Sequence, residues 1–248
     1  MANADRFEYK FLLTRQQREG LLAALGDELK PDTQGSPDGR YPIVSLYYDS
    51  PDLRCYWDKW RGVPSRRKLR VRVYGTTDGR IPVATFIEVK HKADGRGAKR
   101  RIQVPPEQTL ALLRGEAQGL PFSPAEQRVL DEVRMMVASD GLQPTCLMRY
   151  DRHAYFLGDG RDHEGEPLRI TFDENLSVRF DDLSPKPDDR GFQKSVLPPE
   201  HSVVEIKGSG AIPYPLAEKL TRLRILPRKL SKYGEAIRLF GLATPRAA

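Results

Sequence analysis

Residues Arg66–Gly75, RRKLRVRVYG, carry the reading that decides the fold. Lys68, Arg70, Arg72 and Tyr74 fall on one parity and Leu69, Val71 and Val73 on the other, the period-two pattern of a strand with a cationic and an apolar face. The following segment, Thr85–Lys92 (TFIEVKHK), repeats it: Glu88 and Lys90 alternate with Ile87 and Val89. Glu8 and Lys10 alternate with Phe7, Tyr9 and Phe11 near the start of the chain, and Glu205 and Lys207 with Val204 and Ile206 near its end. Arg149 with Asp151, and Arg169 with Thr171 and Asp173, add two more segments with polar groups at alternate positions. Side chains two apart on a strand leave the same face about 6.5 to 7 Å from each other, so each strand offers a row of charge.

Two readings compete for these rows. Alternating charges on a solvated outer face keep a sheet soluble and blunt its edges. Alternatively, the charged parities converge inside a closed antiparallel β-barrel, with the apolar parities facing outward beneath amphipathic helices. Repetition and the excess of Arg and Lys favour the second. A cationic interior would then require a polyanion to fill it.

The chain has 248 residues, enough for one large domain, and 41 Lys and Arg against 34 Asp and Glu give a net charge of +7. That excess points to an anionic partner. Cys55 and Cys146 are too few for a disulfide framework or a cysteine zinc site, which predicts a reduced, cytoplasmic setting. The opening MANADRFEYKFLL lacks the apolar core of a signal peptide, and no run reaches the ~20 apolar residues of a membrane helix. No GxxxxGK[ST] phosphate loop, GxGxxG turn or HExxH pair occurs, and His91, His153, His163 and His201 show no metal spacing. These absences argue against common nucleotide-loop and histidine-metal sites.

Helices are expected from Thr14 to Leu25, from Ser50 through Trp60, across an insertion at about 105–143, from Pro213 to Arg224 and from Tyr233 to Phe240. Ser123 and Glu126 form a capping signature inside that insertion. The glycine-containing turn ADGRGA (93–98) joins two strands, the acidic loop GDGRDHEGEP (158–167) reads as a hairpin tip, and about 181–200 reads as a mobile connection. In PRKLSKYG, Lys229 and Lys232 flank Ser231, either as an anion site at a helix start or as a cap among surface lysines.

Taken together, FEYKFLL, SLYYDSPDL, KLRVRVYG, FIEVKHK with the following KRR, MRYDRHAYF, LRITFDENL, VVEIKG and PRKLSKYGEAI resemble the VTC domain, in order and over nearly the whole chain. This is the polyphosphate polymerase domain of the vacuolar transporter chaperone proteins, one of the triphosphate tunnel metalloenzymes in the CYTH-like superfamily. The resemblance implies an α+β fold: a single domain, residues 1–248, built as a closed antiparallel barrel with a charged lumen and several covering helices. It also implies that Lys10, Arg70, Arg72, Lys90, Arg149, Arg169, Lys229 and Lys232 bind triphosphate or polyphosphate, with Ser231 bonded to the same chain. Lys99, Arg100 and Arg101 are read as lumen or rim residues, with parity favouring Lys99 and Arg101, and Lys207 is counted with the substrate-binding residues. Glu205 matches the metal-binding glutamate, with Glu8 and Glu88 as helpers.

The activity so implied is transfer of the γ-phosphoryl group of ATP to a growing inorganic polyphosphate chain, dependent on Mn²⁺ or Mg²⁺. Arg70, Arg72, Lys90, Arg149, Arg169 and Lys232 are read as carrying the transfer. Hydrolysis of tripolyphosphate or a nucleoside triphosphate, and binding of polyphosphate without chemistry, stand as alternatives. Nucleic acid is disfavoured because basic residues alternate with acids on several strands. Arg6 occupies the first position of the E-x-E-x-K that marks CYTH triphosphatases and cyclases, which suits the VTC branch.

Overall fold

The computed structural model describes residues 6–33, 35–93, 96–116, 119–161 and 167–243, and in it the chain divides into two compact units. The first comprises the chain up to Pro42 with Tyr150–Ser177 and Ser195–Lys232; the second comprises Ile43–Arg149, Val178–Lys194 and the chain from Tyr233. In order, the elements are β1 (Arg6–Leu13), α1 (Arg15–Leu25), β2 (Leu29–Pro31), β3 (Arg40–Asp49), α2 (Arg54–Trp60), β4 (Arg66–Tyr74), β5 (Ala84–Ala93) and β6 (Arg96–Val104). There follow α3 (Thr109–Arg114), α4 (Pro124–Ser139), β7 (Gln143–Arg161), β8 (Pro167–Arg179), β9 (Lys194–Ser195), β10 (Ser202–Ser209), α5 (Tyr214–Arg222) and α6 (Lys232–Leu239). The expected insertion holds α3 and α4; the segment 181–200 holds only β9 as regular structure, with Val196 and Leu197 buried. The tips of the 93–98 turn and of the acidic loop lie outside the described residues.

In the first unit β1 pairs antiparallel with β10 and β10 with β8. Phe11, Val204 and Phe172 lie opposite one another across these strands, as do Lys10, Glu205 and Thr171 on the other parity. The apolar parity packs with Leu21 and Leu25 of α1 and Leu216 and Leu220 of α5 into one buried cluster. Thr14 opens α1 with a capping box, its side chain accepting from the Gln17 N–H while the Gln17 side chain returns to the Thr14 backbone.

The second unit repeats the design. β3, β4, β5 and β6 pair antiparallel in sequence order. Leu69, Val71, Val73, Ile87, Val89, Ile102 and Val104 form a core with Leu112 and Leu113 of α3 and Val129, Leu130, Val133 and Met136 of α4. The helices therefore cover the apolar parity, as the period-two pattern requires, and the charged parity is turned to the other side of these strands. Ser123 and Glu126 make the capping box that opens α4.

One helix begins later than its sequence signals suggest. Leu53 adopts a left-handed conformation with φ of 58°, and α2 starts at Arg54. The cause is Asp49, whose buried carboxylate accepts from the backbone N–H groups of Cys55 at 2.7 Å and Tyr56 at 3.0 Å. Ser50 Oγ accepts from the Arg54 N–H at 3.0 Å. The first-turn donors are thus satisfied by the end of β3, and Ser50 and Pro51 stay outside the helix.

Candidate functional site

Each unit presents its own charged face, and the two differ in composition. Across β4, β5 and β6 the register stacks Lys68, Lys90 and Lys99 in one row, Arg70, Glu88 and Arg101 in the next, and Arg72, Phe86 and Gln103 in a third. Directly opposed side chains on antiparallel strands stand about 5 Å apart, so the first row juxtaposes like charges. Among the described residues of these rows, six cations share one carboxylate. That carboxylate, Glu88, is 1% exposed. Arg70 grips Glu88 Oε2 through Nε at 2.7 Å and Nη2 at 2.6 Å, and Lys99 Nζ lies 3.6 Å from Oε1. Burial alone would raise the Glu88 pKa, but Arg70, Arg72 and Lys99 hold it down at about 2.

The cations of this face are held in place by their neighbours. Arg72 is buried and donates to Ser45 Oγ at 3.1 Å, Arg101 lies over Phe86 at 4.4 Å, and Lys68 lies over Tyr233 at 5.3 Å. Burial lowers the pKa of Lys68 and of Lys99, so both ammonium groups are strained as cations where they stand. Lys68 belongs to this face although its role was not singled out from the sequence. Its parity with Arg70 and Arg72 is the signal that marks it.

In the first unit charge is paired. Glu205 is 6% exposed and receives Lys232 at 3.1 Å, Lys207 at 3.0 Å and Lys10 at 3.5 Å. Lys10 also lies 3.2 Å from Glu8, and Lys207 lies 3.9 Å from it. Lys232 in turn reaches Asp173 at 2.7 Å, and Arg152 binds Asp173 through both oxygens at 2.7 and 2.8 Å. Burial opposes ionisation of Glu205, yet Lys232, Lys10 and Lys207 hold its pKa well below the carboxylate range. Against the desolvation of Lys232, Asp173 and then Glu205 raise its pKa, so both partners stay charged at neutral pH.

The remaining expected residues are placed as follows. Arg169, opposite Lys207, donates to the buried Asp32 at 2.7 Å and to the Tyr41 hydroxyl at 3.1 Å. Arg149, in the second unit, pairs with Asp188 at 3.3 Å. Lys229 is exposed and Ser231 half-buried. Asp173, Arg152 and Asp32 complete the first cluster and were not assigned a role from sequence; Asp173 stood in the alternating row with Arg169, whereas nothing local pairs Arg152 or Asp32 with a partner.

Among the described residues no group of three or more His, Cys, Asp or Glu forms a cage for a metal. Mg²⁺ and Mn²⁺ delivered on phosphate oxygens require only one or two carboxylates. Glu205 supplies one in ionised form, Glu8 shares two of its lysines, and the hydroxyl of Thr171, directly across from Glu205, is buried without a hydrogen-bond partner. This donor set fits a cation carried by phosphate. Lys232 and Lys10 stand on Glu205 Oε1 and Lys207 on Oε2, as Arg70 and Lys99 stand on the two oxygens of Glu88, so a cation at either carboxylate displaces a lysine or arginine contact.

The chain is similar to several known proteins, and its matches include a family model, a curated relative and a solved structure. The family model described as VTC domain matches residues 5–240. Vacuolar transporter chaperone complex subunit 4 of Schizosaccharomyces pombe is 30% identical over 159 residues, which are 56% of this chain and 21% of that protein. The matched segment thus spans about a fifth of that relative. A solved structure from Pyrococcus horikoshii OT3 aligns over 94% of this chain and 99% of its own with 11% identity and a TM-score of 0.47.

Proposed function

This chain belongs to the VTC domain family, and on that premise we propose that it binds inorganic polyphosphate and extends it with the γ-phosphoryl group of ATP, releasing ADP. The observation that carries the proposal is the face of β4–β6, where the described residues of three registered rows bring six cations and one carboxylate onto one side of the sheet. Such a surface is complementary to a repeating anion, and guanidinium forks suit phosphate oxygens. The closed tunnel expected from the sequence belongs to this reading, as does a reduced cytoplasmic setting, which the free thiols of Cys55 and Cys146 support.

Phosphoryl transfer asks the protein for positioning and for neutralisation of spread charge. A terminal phosphate oxygen of the growing chain attacks the γ-phosphorus as the bond to the β-phosphate oxygen breaks, and that bonding pair leaves with ADP. Arg70, Arg72 and Arg101 hold phosphate oxygens, with Lys68, Lys90 and Lys99 as point charges. In the first unit Lys10, Lys207 and Lys232 exchange carboxylate contacts for phosphate contacts as substrate arrives. A bound Mn²⁺ or Mg²⁺ would supply Lewis-acid charge neutralisation, with Glu205 as its principal protein ligand and Glu8 beside it.

Incubation of the pure chain with γ-labelled ATP and Mn²⁺ or Mg²⁺, followed by size separation of the phosphate products, tests the proposal. A ladder of polyphosphate with matching ADP is expected. Orthophosphate alone would replace the polymerase by a triphosphatase. Tight polyphosphate binding without turnover would leave a binding module, and neither binding nor turnover would overturn the polyphosphate reading.

A further inference from the structure

We propose that a cleft on the helix-covered side of the second unit is a separate anion site, taking a small phosphate compound such as orthophosphate or pyrophosphate. The cleft, of about 370 Å³, lies where α2 and the C-terminal half of α4 meet the ends of β4, β5 and β6. Cys55, Met136 and Leu142 give it an apolar floor. Arg67 and His91, opposite one another in the register, and Arg100 project on the parity that elsewhere in these strands is filled by Leu69, Val71, Val89 and Ile102. The apolar pattern is therefore interrupted by cations at this one end, where a packing role would call for hydrophobic side chains.

Arg54 and Arg66 join Arg67 and Arg100 in the wall, against the carboxylates of Asp58, Glu132 and Asp140. Only one of the pairings is tight: Arg100 holds Glu132 through Nε at 2.9 Å and Nη2 at 2.6 Å. Arg67 lies 3.5 Å from Asp140 and 4.0 Å from Glu132, and Arg54 lies 3.9 Å from both Asp140 and Asp58. Guanidinium groups at such separations keep N–H donors for another acceptor, and each presents a planar fork that matches phosphate oxygens. Several converging guanidiniums select a multiply charged anion over a single carboxylate. The Ser65 hydroxyl and His91 Nε2, 3.3 Å apart at the rim, offer further polar contacts. Burial pushes the Cys55 thiol up to about 12, so the floor is inert and the site is one of binding.

This site does not depend on the activity proposed above, and its test does not read that activity. The chain's two tryptophans, Trp57 and Trp60, both lie on α2, the helix that also carries Arg54, Cys55 and Asp58 of the cleft, and serve as the fluorescence probe. Titration of the full chain with pyrophosphate should give a saturable change, weakened at least tenfold by Arg67→Gln and shifted less than twofold by Arg70→Ala on the opposite face. Asp140→Asn, which removes a competing carboxylate, should tighten binding severalfold; this second variant decides the matter if Arg67→Gln fails to melt cooperatively. No saturation into the millimolar range, loss of the signal in Arg70→Ala, weakening by Asp140→Asn, or an equal midpoint with sulfate would each overturn the proposal.

Discussion

Strands β1, β10 and β8 carry their charges in opposite-sign contacts, whereas β4, β5 and β6 carry theirs in excess. In the first cluster Glu205 and Asp173 are held by Lys10, Lys207, Lys232 and Arg152, at separations from 2.7 to 3.5 Å. In the second, Glu88 is the one carboxylate among the described residues of the rows that hold Lys68, Arg70, Arg72, Lys90, Lys99 and Arg101. The same period-two design therefore yields two kinds of surface. A cluster in which every cation touches a carboxylate fixes its geometry in the absence of ligand, and one that sets like charges opposite one another stores electrostatic strain that a polyanion would relieve. The difference predicts that substitutions in the first cluster act mainly on folding, whereas in the second the carboxylate substitution acts on folding and the cation substitutions mainly on phosphate binding.

Asp173→Ala is the strongest attempt to break this contrast. It leaves Arg152 and Lys232, both buried, without their shared carboxylate. Removing one partner of a buried pair costs about 3 to 5 kcal/mol, so a denaturant midpoint should fall by a corresponding amount. A loss below about 1 kcal/mol would mean that the first cluster is not structural.

Glu88→Gln comes next and carries a pH signature. The folded pKa of Glu88, about 2, lies below the ordinary 4.5, so its ionised form contributes stability above pH 4.5 that is lost as pH falls toward 2. The depression corresponds to roughly 3 kcal/mol. Chemical denaturation of wild type and Glu88→Gln should differ by about that amount at neutral pH and converge toward pH 2. A constant difference would remove Glu88 from its role as counter-ion to Arg70.

How much of this contrast could be read in the sequence follows from the range of the interactions. Alternation within a strand is local, so the apolar parity of β4 and β5, its helical cover and the charged rows were all expected, and the capping boxes at Thr14 and Ser123 were visible within four residues. Partner choice is not local. Arg152 meets Asp173 across 21 residues, Arg169 meets Asp32 across 137, and Tyr233 donates to Asp49 across 184. Composition and spacing hold no record of such pairs. The late start of α2 has the same origin, because Ser50-Pro51 resembles a helix opening until Asp49 is seen to take the donors of Cys55 and Tyr56. Arg149 was expected among the phosphate ligands, and its contact with Asp188 involves a segment whose sequence suggested only a mobile connection.

Arg70→Ala sharpens the comparison from the second face. Its guanidinium donates twice to Glu88, so some stability is lost, but Lys99 and Arg72 still offset that carboxylate. Polyphosphate affinity should fall at least tenfold by isothermal titration, equivalent to about 1.4 kcal/mol. Unchanged affinity in a folded variant would remove the central row from the binding surface.

Lys68→Met is expected to have the smallest effect on folding, and its sign is the informative part. Lys68 stands in the like-charge row with Lys90 and Lys99, and burial lowers its pKa. A depressed lysine pKa means that the protonated form is disfavoured in the folded state, so the charge costs stability at neutral pH, and that cost fades as pH rises through the depressed folded pKa and is gone by the unfolded value near 10.4. Its position over the Tyr233 ring recovers part of the loss. Methionine keeps the unbranched shape and removes the charge, so thermal stability should stay level or rise by up to about 1 kcal/mol while polyphosphate binding weakens severalfold. Gain in stability together with loss in affinity is the mark of a residue retained for its ligand. A variant that loses both would show instead that Lys68 is held by the fold itself, and the strain attributed to the second face would have to lie in Lys90 and Lys99.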